Sequence, residues 1–429
     1  MSISSTFRSL GTHNFRIWSA GALVSNIGTW MQRTAQDWLV LTQLTHHNAT
    51  AVGIVMALQF GPQLLMLPWT GFVADHMDRR KLMIATQGLM GLQALALGIL
   101  TVLGIVQLWE VYVFAFLFGC TSAFDAPARQ VFVNDLVHEK DVSNAVGLNS
   151  TSFNAGRMIG PAAAGLTIAA VGTGWAFLFN GLSFMAVVLS LLFLRVHELH
   201  HAPGPERKSS GLADGFRYVG KRPDLVANLV MIAFVGTFGF NFAIFIATMA
   251  VSVFHVGAGK YGLLSSAMAL GTLSGALLAA SREKPTFSLL VAGTLMFGVS
   301  CAASAVMPSY WLFAATLVAG GIAAMTFANA SNTLMQLTTE SAMRGRVMAI
   351  RLAIMMGGTP IGAPIVGWVA DHYGPRYSMG VAALAGIVAT GVGLFYLSRH
   401  ENLRVHMRSG RLRVITGPEE DEASDPLRS

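Results

Sequence analysis

Long apolar segments separated by short polar turns make up most of the chain. A helix that crosses a bilayer needs about 20 apolar residues, and the sequence holds twelve segments near that length. We call them span one to span twelve and predict them at Ile17–Leu44, Ala51–Phe72, Leu82–Val106, Trp109–Phe124, Ala145–Val171, Trp175–Leu194, Leu225–Phe254, Tyr261–Ala280, Phe287–Met307, Trp311–Met335, Val347–Ala370 and Tyr377–Leu397. The pattern predicts an all-α membrane protein with twelve transmembrane helices and both termini on one side.

The longest polar stretch divides the spans six and six. We expect an N-terminal bundle over 1–196, a linker over 197–224, a C-terminal bundle over 225–398 and a tail over 399–429. The linker is rich in Pro, Gly and Ser, and its later part, Leu212–Lys221, has the pattern of a short amphipathic helix. The tail is basic and then acidic, which is typical of a disordered segment.

Three glycines of span five recur in span eleven at a constant offset, which indicates two related, pseudo-symmetric halves. The pairs are Gly160 with Gly362, Gly165 with Gly367, and Gly172 with Gly374.

The charges fix the predicted orientation. Only 11% of residues are charged, too few to cover a soluble surface, so lipid must cover much of the outside. Of the 28 Lys and Arg residues, Lys260 and Arg376 fall in loops away from the termini, and Arg33 and Arg157 fall well inside spans. We place the other 24 on the side of the termini, including Arg351 near the start of span eleven. The positive-inside rule therefore predicts a multi-pass protein of the cell membrane with both termini cytoplasmic. The net charge of +7 reflects this orientation and does not indicate nucleic-acid binding.

The turn between spans two and three has a distinctive composition. Gly71 and Asp75 are one helical turn apart, so a neighbouring helix can approach Gly71 closely and offer its N-terminal N–H groups to Asp75. Three cations that would hold this turn in the cytoplasm follow: Arg79, Arg80 and Lys81.

This spacing resembles the signature loop between helices 2 and 3 of the major facilitator superfamily of secondary transporters. The family usually has Gly before the basic pair, where this chain has Asp78. The resemblance covers the chain up to about Arg399. It implies two six-helix bundles that rock about a central site lined by helices one, four, seven and ten. It also implies that the loop latches the cytoplasmic side in the outward-open state, so Asp75→Asn should weaken the latch and change transport in vesicles.

A second copy of this sequence has a different predicted location. Gly367–His372 reads Gly-Trp-Val-Ala-Asp-His and Gly71–His76 reads Gly-Phe-Val-Ala-Asp-His. Because they lie at opposite ends of the membrane, we do not expect them to do the same job.

Span five resembles the antiporter signature in helix 5 of facilitator-superfamily exporters, with Ala164 where the signature has Gly. Small residues four apart allow close helix packing, and a proline frees one backbone carbonyl and permits a bend. Ordinary small-residue packing is the alternative explanation. The residues are Gly147, Gly156, Gly160, Pro161 and Gly165.

The charged residues inside the spans are the candidates for proton or substrate binding. Arg33 and Asp37 lie one turn apart in span one, and an intramembrane charge is costly unless it faces the interior and is paired. Asp37 could accept a proton under the influence of Arg33, or the two could form a structural ion pair.

Two further charges lie at or within neighbouring spans. Asp125 ends span four and begins a stretch that, with its Pro-Ala-Arg-Gln sequence, resembles the enterobactin-exporter-like branch. Arg157 in span five could pair with Asp125 or with Asp37. Many proton-coupled exporters carry an Arg within helix 4, and span four has none, which puts that route of coupling in doubt.

No other chemistry is indicated. His197–His201 matches a zinc-protease pattern but has no third ligand or cleft, so no metal is expected, and we expect no cofactor. The sequence contains no phosphate-binding Gly-x4-Gly-Lys motif or nucleophile constellation, so we do not expect an enzyme.

The interpretation is a monomeric secondary transporter that exports small amphiphilic molecules, of drug or siderophore type, by proton antiport. Its predicted partners are the lipid bilayer, its small-molecule substrate and protons. The alternatives are a facilitator or importer without proton coupling, a non-transporting sensor and, least favoured, a membrane-embedded enzyme.

Overall fold

The structure is a computed structural model, and it describes residues 7–66, 69, 70, 73, 77–200, 212–280, 285–400, 404–408 and 411–415. Gly71 and Asp75 of the predicted latch lie outside the described residues. Spans one to six are the helices His13–Leu39, Ala49–Leu65, Arg79–Val102, Leu108–Asp135, Val142–Val171 and Thr173–Leu192. Span seven and the later spans are Pro223–Val253, Ala258–Ala280, Phe287–Val306, Tyr310–Thr338, Ser341–Tyr373 and Pro375–His400.

Most of these helices can cross a bilayer by length and composition. Among the described residues, nine helices are long and apolar enough, and Ala49–Leu65 is a shorter apolar helix. Spans one and five do not reach that apolar limit, and both carry charged or amide side chains. The two spans that fall short of this limit are those that carry Arg33, Asp37 and Arg157.

Several spans are longer or less regular than their pattern predicts. Span four begins at Leu108 and continues to Asp135, past the predicted end at Phe124. Span one ends in a π-helical segment, Val40–Leu44, and span seven contains two more, Val235–Gly239 and Met249–Val253. Such segments often occur at functional sites because they displace the side chains that follow.

Short elements connect the spans. A 3-10 helix, Arg8–Gly11, precedes span one, and its Arg8 forms an ion pair with Asp141 before span five. The linker forms a helix, Leu212–Gly220, and its Gly215 lies against Arg346 of span eleven. Between this helix and span seven, two hydrogen bonds to Asp224, of 2.7 and 2.9 Å, raise the pKa of Arg222.

The tail contains a short ribbon. Strands Arg404–Arg408 (β1) and Arg411–Ile415 (β2) pair antiparallel, with Arg404 opposite Ile415. The sequence predicts disorder over this tail, and its acidic part lies outside the described residues. Apart from this ribbon, the described regular structure is helical.

The matched glycines occupy equivalent places in the two halves. Gly172 ends span five with φ +98°, and Gly374 ends span eleven with φ +103°. A φ in that range favours glycine, so one backbone geometry turns the chain into the next span in both halves. Gly160 packs on the backbone of span one, and Gly362 packs on the backbone of span seven. The pseudo-symmetry predicted from the constant offset is thus present in the packing.

Glycines bring the two halves into close contact toward the end remote from the termini. Gly367 packs on Ala49 at the start of span two, and Gly165 packs on Ala258 at the start of span eight. Carbonyl oxygens of the opposite helix lie 2.5 and 2.6 Å from the positions a Cβ atom would take at these glycines. Any larger residue would separate the helices, so glycine is required at both contacts. We call these two contacts between the halves the seams.

Candidate functional site

A cavity of about 310 Å³ lies between the two halves. Both halves supply its walls: spans one, two and five from the N-terminal half, and spans seven, eight, ten and eleven from the C-terminal half. No described residue of span four lines it, which corrects the expectation that helices one, four, seven and ten do. The walls are mostly apolar and aromatic, as in sites that bind small organic molecules.

Three charged side chains line this cavity, and all three are sequence-predicted candidates: Arg33, Asp37 and Arg157. Span one presents Arg33 and Asp37 on the same face, one turn apart, while Arg157 reaches the cavity from span five. Span five lies close enough because Gly156 and Gly160 let its backbone contact span one at Asn26 and Ile27. The small-residue spacing therefore brings the second arginine to the cavity.

The two arginines are held by aromatic rings. The Arg33 guanidinium carbon lies 5.1 Å from the ring centroids of both Trp30 and Phe60. Arg157 lies 5.6 Å from the same Trp30 ring. Such contacts are worth about 1–2 kcal/mol where water is excluded, and they offset part of the cost of holding two cations in the membrane. We call these four side chains the arginine–tryptophan cage.

No ion pair closes the cage in the part of the chain that the structure describes. The charges of Arg33 and Asp37 attract one another, but the two groups are not in ion-pair contact. The buried Nε atom of Arg33 has no hydrogen-bond partner. The tight Arg33–Asp37 pair that the sequence left open is therefore not formed, and both groups remain available to a ligand.

Asp125 does not belong to the cavity. Its Oδ1 accepts hydrogen bonds of 2.8 Å from Thr86 and Gln87, and its Oδ2 pairs with Arg129 at 3.2 Å. These partners come from span three and from the next turn of span four. The prediction that Asp125 could pair with Arg157 is wrong, because Asp125 lies one turn from Arg129 on the same helix and is already satisfied.

The basic residues after the signature turn bond within the N-terminal half. Arg79 donates two hydrogen bonds to the carboxylate of Asp135, at 2.9 and 3.0 Å, and Arg80 donates to the carbonyl of Leu191. Lys81 is exposed. Asp78, which departs from the family pattern, accepts a hydrogen bond from the Lys81 backbone and caps span three.

An aromatic residue that sequence reasoning did not select, Tyr261, closes one side of the cavity. Tyr261 of span eight is buried, lines the cavity and stacks on Trp38 of span one, with ring centroids 5.5 Å apart. Phe240 and Phe242 of span seven also line it. Nothing in the sequence marked Tyr261, because an aromatic residue at the start of an apolar helix is common.

One cation that the sequence analysis assigned to the cytoplasmic charges, Arg351, is buried in the structure. Arg351 lies inside span eleven, and it donates a 3.1 Å hydrogen bond to the carbonyl of Ala328, a cavity residue. Its Nε atom has no partner. Arg351 therefore adds a third guanidinium beside the cavity.

The comparisons with known proteins agree with this geometry. A family model described as "Transmembrane secretion effector" matches residues 4–409. The chain belongs to that family. It is thus a multi-pass membrane transporter of the major facilitator superfamily and not an enzyme.

Its similarity to individual transporters is distant but extends over most of the chain. The Staphyloferrin A transporter of Staphylococcus aureus is 24% identical over 387 residues, which cover 88% of this chain and 95% of that protein. The enterobactin exporter EntS of Citrobacter koseri is 24% identical over 363 residues, which cover 83% and 86%. These relatives connect the transporter with proteins named for siderophores.

Solved structures share the fold. A bacterial homologue of the human lysosomal transporter Spinster, in an inward-facing and unoccupied conformation, has a TM-score of 0.69 at 15% identity. That match covers 90% of this chain and 97% of the other. A D-xylose–proton symporter has a TM-score of 0.68 at 13% identity, covering 89% and 96%. At this identity the likeness establishes the fold alone.

Proposed function

We propose that this transporter exports small amphiphilic molecules by alternating access, with proton antiport as the driving force. The observation that carries the proposal is the central cavity, which joins aromatic walls to three charged side chains. Aromatic walls suit the apolar part of an amphiphile, and the charged groups suit its polar part. The exporter named for enterobactin among the relatives favours the outward direction.

Alternating access is supported by how the halves meet. The backbone contacts at the starts of spans two and eight close the end remote from the termini, and Tyr261 stacked on Trp38 closes the cavity beneath it. With the cytoplasmic termini and plasma-membrane location that we infer from the charge pattern, this arrangement is sealed on the outer side. The antiporter-type residues of span five lie where one half must move against the other.

Asp37 is the proposed proton carrier. It is the one acidic side chain among the described residues of the cavity wall, and no ion pair holds it in its charged state. Protonation of Asp37 would change the net charge that the cavity presents to a substrate, so proton binding and substrate binding would be coupled through charge.

The test is transport in proteoliposomes that contain the purified protein, with a panel of small drugs and an imposed proton gradient. We expect flux that depends on the gradient, loss of that dependence in Asp37→Asn, and loss of substrate affinity in Arg157→Ala. Exposed Arg16→Gln is the matched control. Counterflow with no response to the gradient would contradict antiport and support facilitated transport, and no flux of any compound would contradict export.

A further inference from the structure

The charges of the cavity do not balance. Two guanidinium groups, Arg33 and Arg157, face it with one carboxylate, Asp37, and Arg351 adds a cation behind the Ala328 carbonyl. Intramembrane charges are normally paired, because an unpaired one costs several kcal/mol. Among the described residues none of these arginines forms an ion pair, and buried Nε atoms of Arg33 and Arg351 have no partner.

We infer that the cargo of this site is an amphiphilic carboxylate, bound through its carboxylate to Arg33 and Arg157 with its apolar part against the aromatic wall. The inference rests on the proposed function and names its substrate class. A single negative charge would neutralise the excess on the cavity wall, since the facing groups sum to one positive charge. A guanidinium binds a carboxylate through two parallel hydrogen bonds. A bound carboxylate would thus supply the acceptor that the Nε atom of Arg33 lacks.

The cage also explains how the site tolerates its arginines. Trp30 lies under both guanidinium groups, and Phe60 covers Arg33 from span two. Stacking on rings leaves the N–H edges of a guanidinium free, because its donors lie in the guanidinium plane. The aromatic rings therefore keep the arginines in place while leaving their donors for an anion.

The test is binding of naproxen, an aromatic carboxylate, compared with its neutral primary amide, by equilibrium dialysis against the purified transporter. We expect the acid to bind about tenfold more tightly than the amide, as one additional charge-assisted contact would give. Arg157→Gln should remove the difference, Arg157→Lys should keep part of it, and exposed Arg16→Gln should leave it unchanged.

Equal binding of the two compounds, tighter binding of the amide, or no binding of either would overturn the carboxylate assignment. A preference for the acid that survives both Arg157→Gln and Arg33→Gln would overturn the assignment to the cage. Thermal unfolding of each variant separates a lost site from a lost fold. A failure of the proton-antiport proposal can be told apart from a failure of the carboxylate assignment. In that case naproxen would still bind, and transport would simply not depend on the proton gradient.

A second, independent observation concerns Asp371 at the end of span eleven. Its two carboxylate oxygens accept hydrogen bonds from the backbone N–H groups of Ala49 and Thr50, at 2.7 and 2.9 Å, and from the Thr50 hydroxyl. Asn48 caps the next N–H group of span two, that of Ala51. Asp371 thus bonds across the seam, from one half of the transporter to the other.

We propose that Asp371 is a latch that holds this end of the transporter closed by capping span two. The first N–H groups of a helix have no partner within the helix and carry partial positive charge, so a carboxylate stabilises them. Gly367, one turn earlier, allows the approach, since it packs directly on Ala49. When the seam opens, these N–H groups lose the carboxylate, so the contact favours only the closed state.

At the symmetric seam, the position that matches Asp371 carries no acid. The residue of span five that matches Asp371 at the constant offset is Ala169, one turn after Gly165. The glycine packing is therefore common to both seams, and the charge is particular to one. The sequence Gly367–His372, which differs from Gly71–His76 only at its second residue, thus places an acid at a helix N-terminus of the other half, as the sequence predicts for Asp75. The two copies would then do the same job at opposite ends of the transporter, contrary to the expectation from their locations.

The latch is tested with a thiol introduced by Ala243→Cys, which lines the cavity, after Cys120 and Cys301 are replaced by alanine. A membrane-impermeant maleimide is applied at the face remote from the termini. Asp371→Asn should raise the labelling rate roughly two- to fivefold, the range expected for a charge at a helix terminus, and Thr50→Val should raise it less.

Glu110→Gln is the matched control, because Glu110 lies at the same end and caps a helix within one half. The latch would be overturned by an unchanged labelling rate in both Asp371→Asn and Thr50→Val. It would equally be overturned by a rise of the same size in Glu110→Gln.

Discussion

Each buried charge in this protein has its own local solution, and the solutions differ in kind. Asp125 is satisfied by hydrogen bonds and by Arg129, whereas Arg33 and Arg157 rest on aromatic rings. The first arrangement stabilises the fold, because every strong acceptor has a donor. The second leaves donors free, which suits a site that binds and releases a ligand.

This difference predicts that Asp125→Asn affects stability more than coupling. An amide would lose the Arg129 ion pair and one or more of the bonds from Thr86 and Gln87, at a cost of about 1–3 kcal/mol. The unfolding temperature in detergent should fall, while the transport that remains should keep its dependence on the proton gradient. Loss of gradient dependence at unchanged unfolding temperature would instead place Asp125 in the coupling mechanism.

At the level of residues, the sequence identified the charges but not their partners. Arg33, Asp37 and Arg157 could be selected because a charge within an apolar span is rare. Their neighbours could not, since Trp30, Phe60 and Tyr261 are ordinary residues of apolar helices. Whether Arg157 faced Asp125 or Asp37 depended on the rotation of span five about its axis, which the packing of Gly156 and Gly160 on span one determines.

At the level of helices, span five joins three functions in one element. Its Gly156 and Gly160 contact span one, its Pro161 lines the cavity, and its Gly165 contacts span eight of the other half. A Ser266 hydroxyl of span eight also donates a 2.7 Å hydrogen bond to the carbonyl of Met158. Movement between the halves must therefore break contacts made by the helix that also carries Arg157.

The signature glycines should consequently differ in importance. Gly165→Leu would place a side chain against the Ala258 carbonyl, 2.6 Å from the expected Cβ position, at an overpacking cost of about 1–3 kcal/mol. Transport in proteoliposomes should fall roughly tenfold as the seam fails to close.

Gly147→Ala is the control within the same signature, because among the described residues the Cβ position at Gly147 has no neighbour within 4 Å outside its own stretch of helix. It should leave transport unchanged and slightly favour the helix. Equal losses in the two variants would mean that the signature acts through something other than close packing.

At the level of the whole molecule, the two halves share a plan and differ in their charges. Gly172 and Gly374 turn the chain in the same way, and His47 and His255, with φ of 60° and 50°, occupy the turns before spans two and eight. The charged cavity wall, by contrast, comes from the N-terminal half, and the acidic latch comes from the C-terminal half. The two halves thus share a frame, and residues that differ between them make up the site.

The orientation of this frame remains a prediction from the charge pattern. Epitope tags at the two termini should both be accessible only after the cell membrane is permeabilised, because nearly all Lys and Arg residues lie on that side. A tag between spans one and two, near His46, should be accessible in intact cells. Termini detected on opposite faces would contradict twelve crossings and the two-bundle plan with them.

The sequence by itself determined the membrane class, the spans, the division into related halves and the intramembrane charges Arg33, Asp37 and Arg157. It could do so because a bilayer requires long apolar helices and penalises every charge within them, and both constraints are local along the chain. The tertiary structure alone decided the cage around Trp30, the isolation of Asp125 from the cavity and the bond from Asp371 to span two. These depend on how helices distant in sequence rotate and approach one another, which is set by packing between their faces.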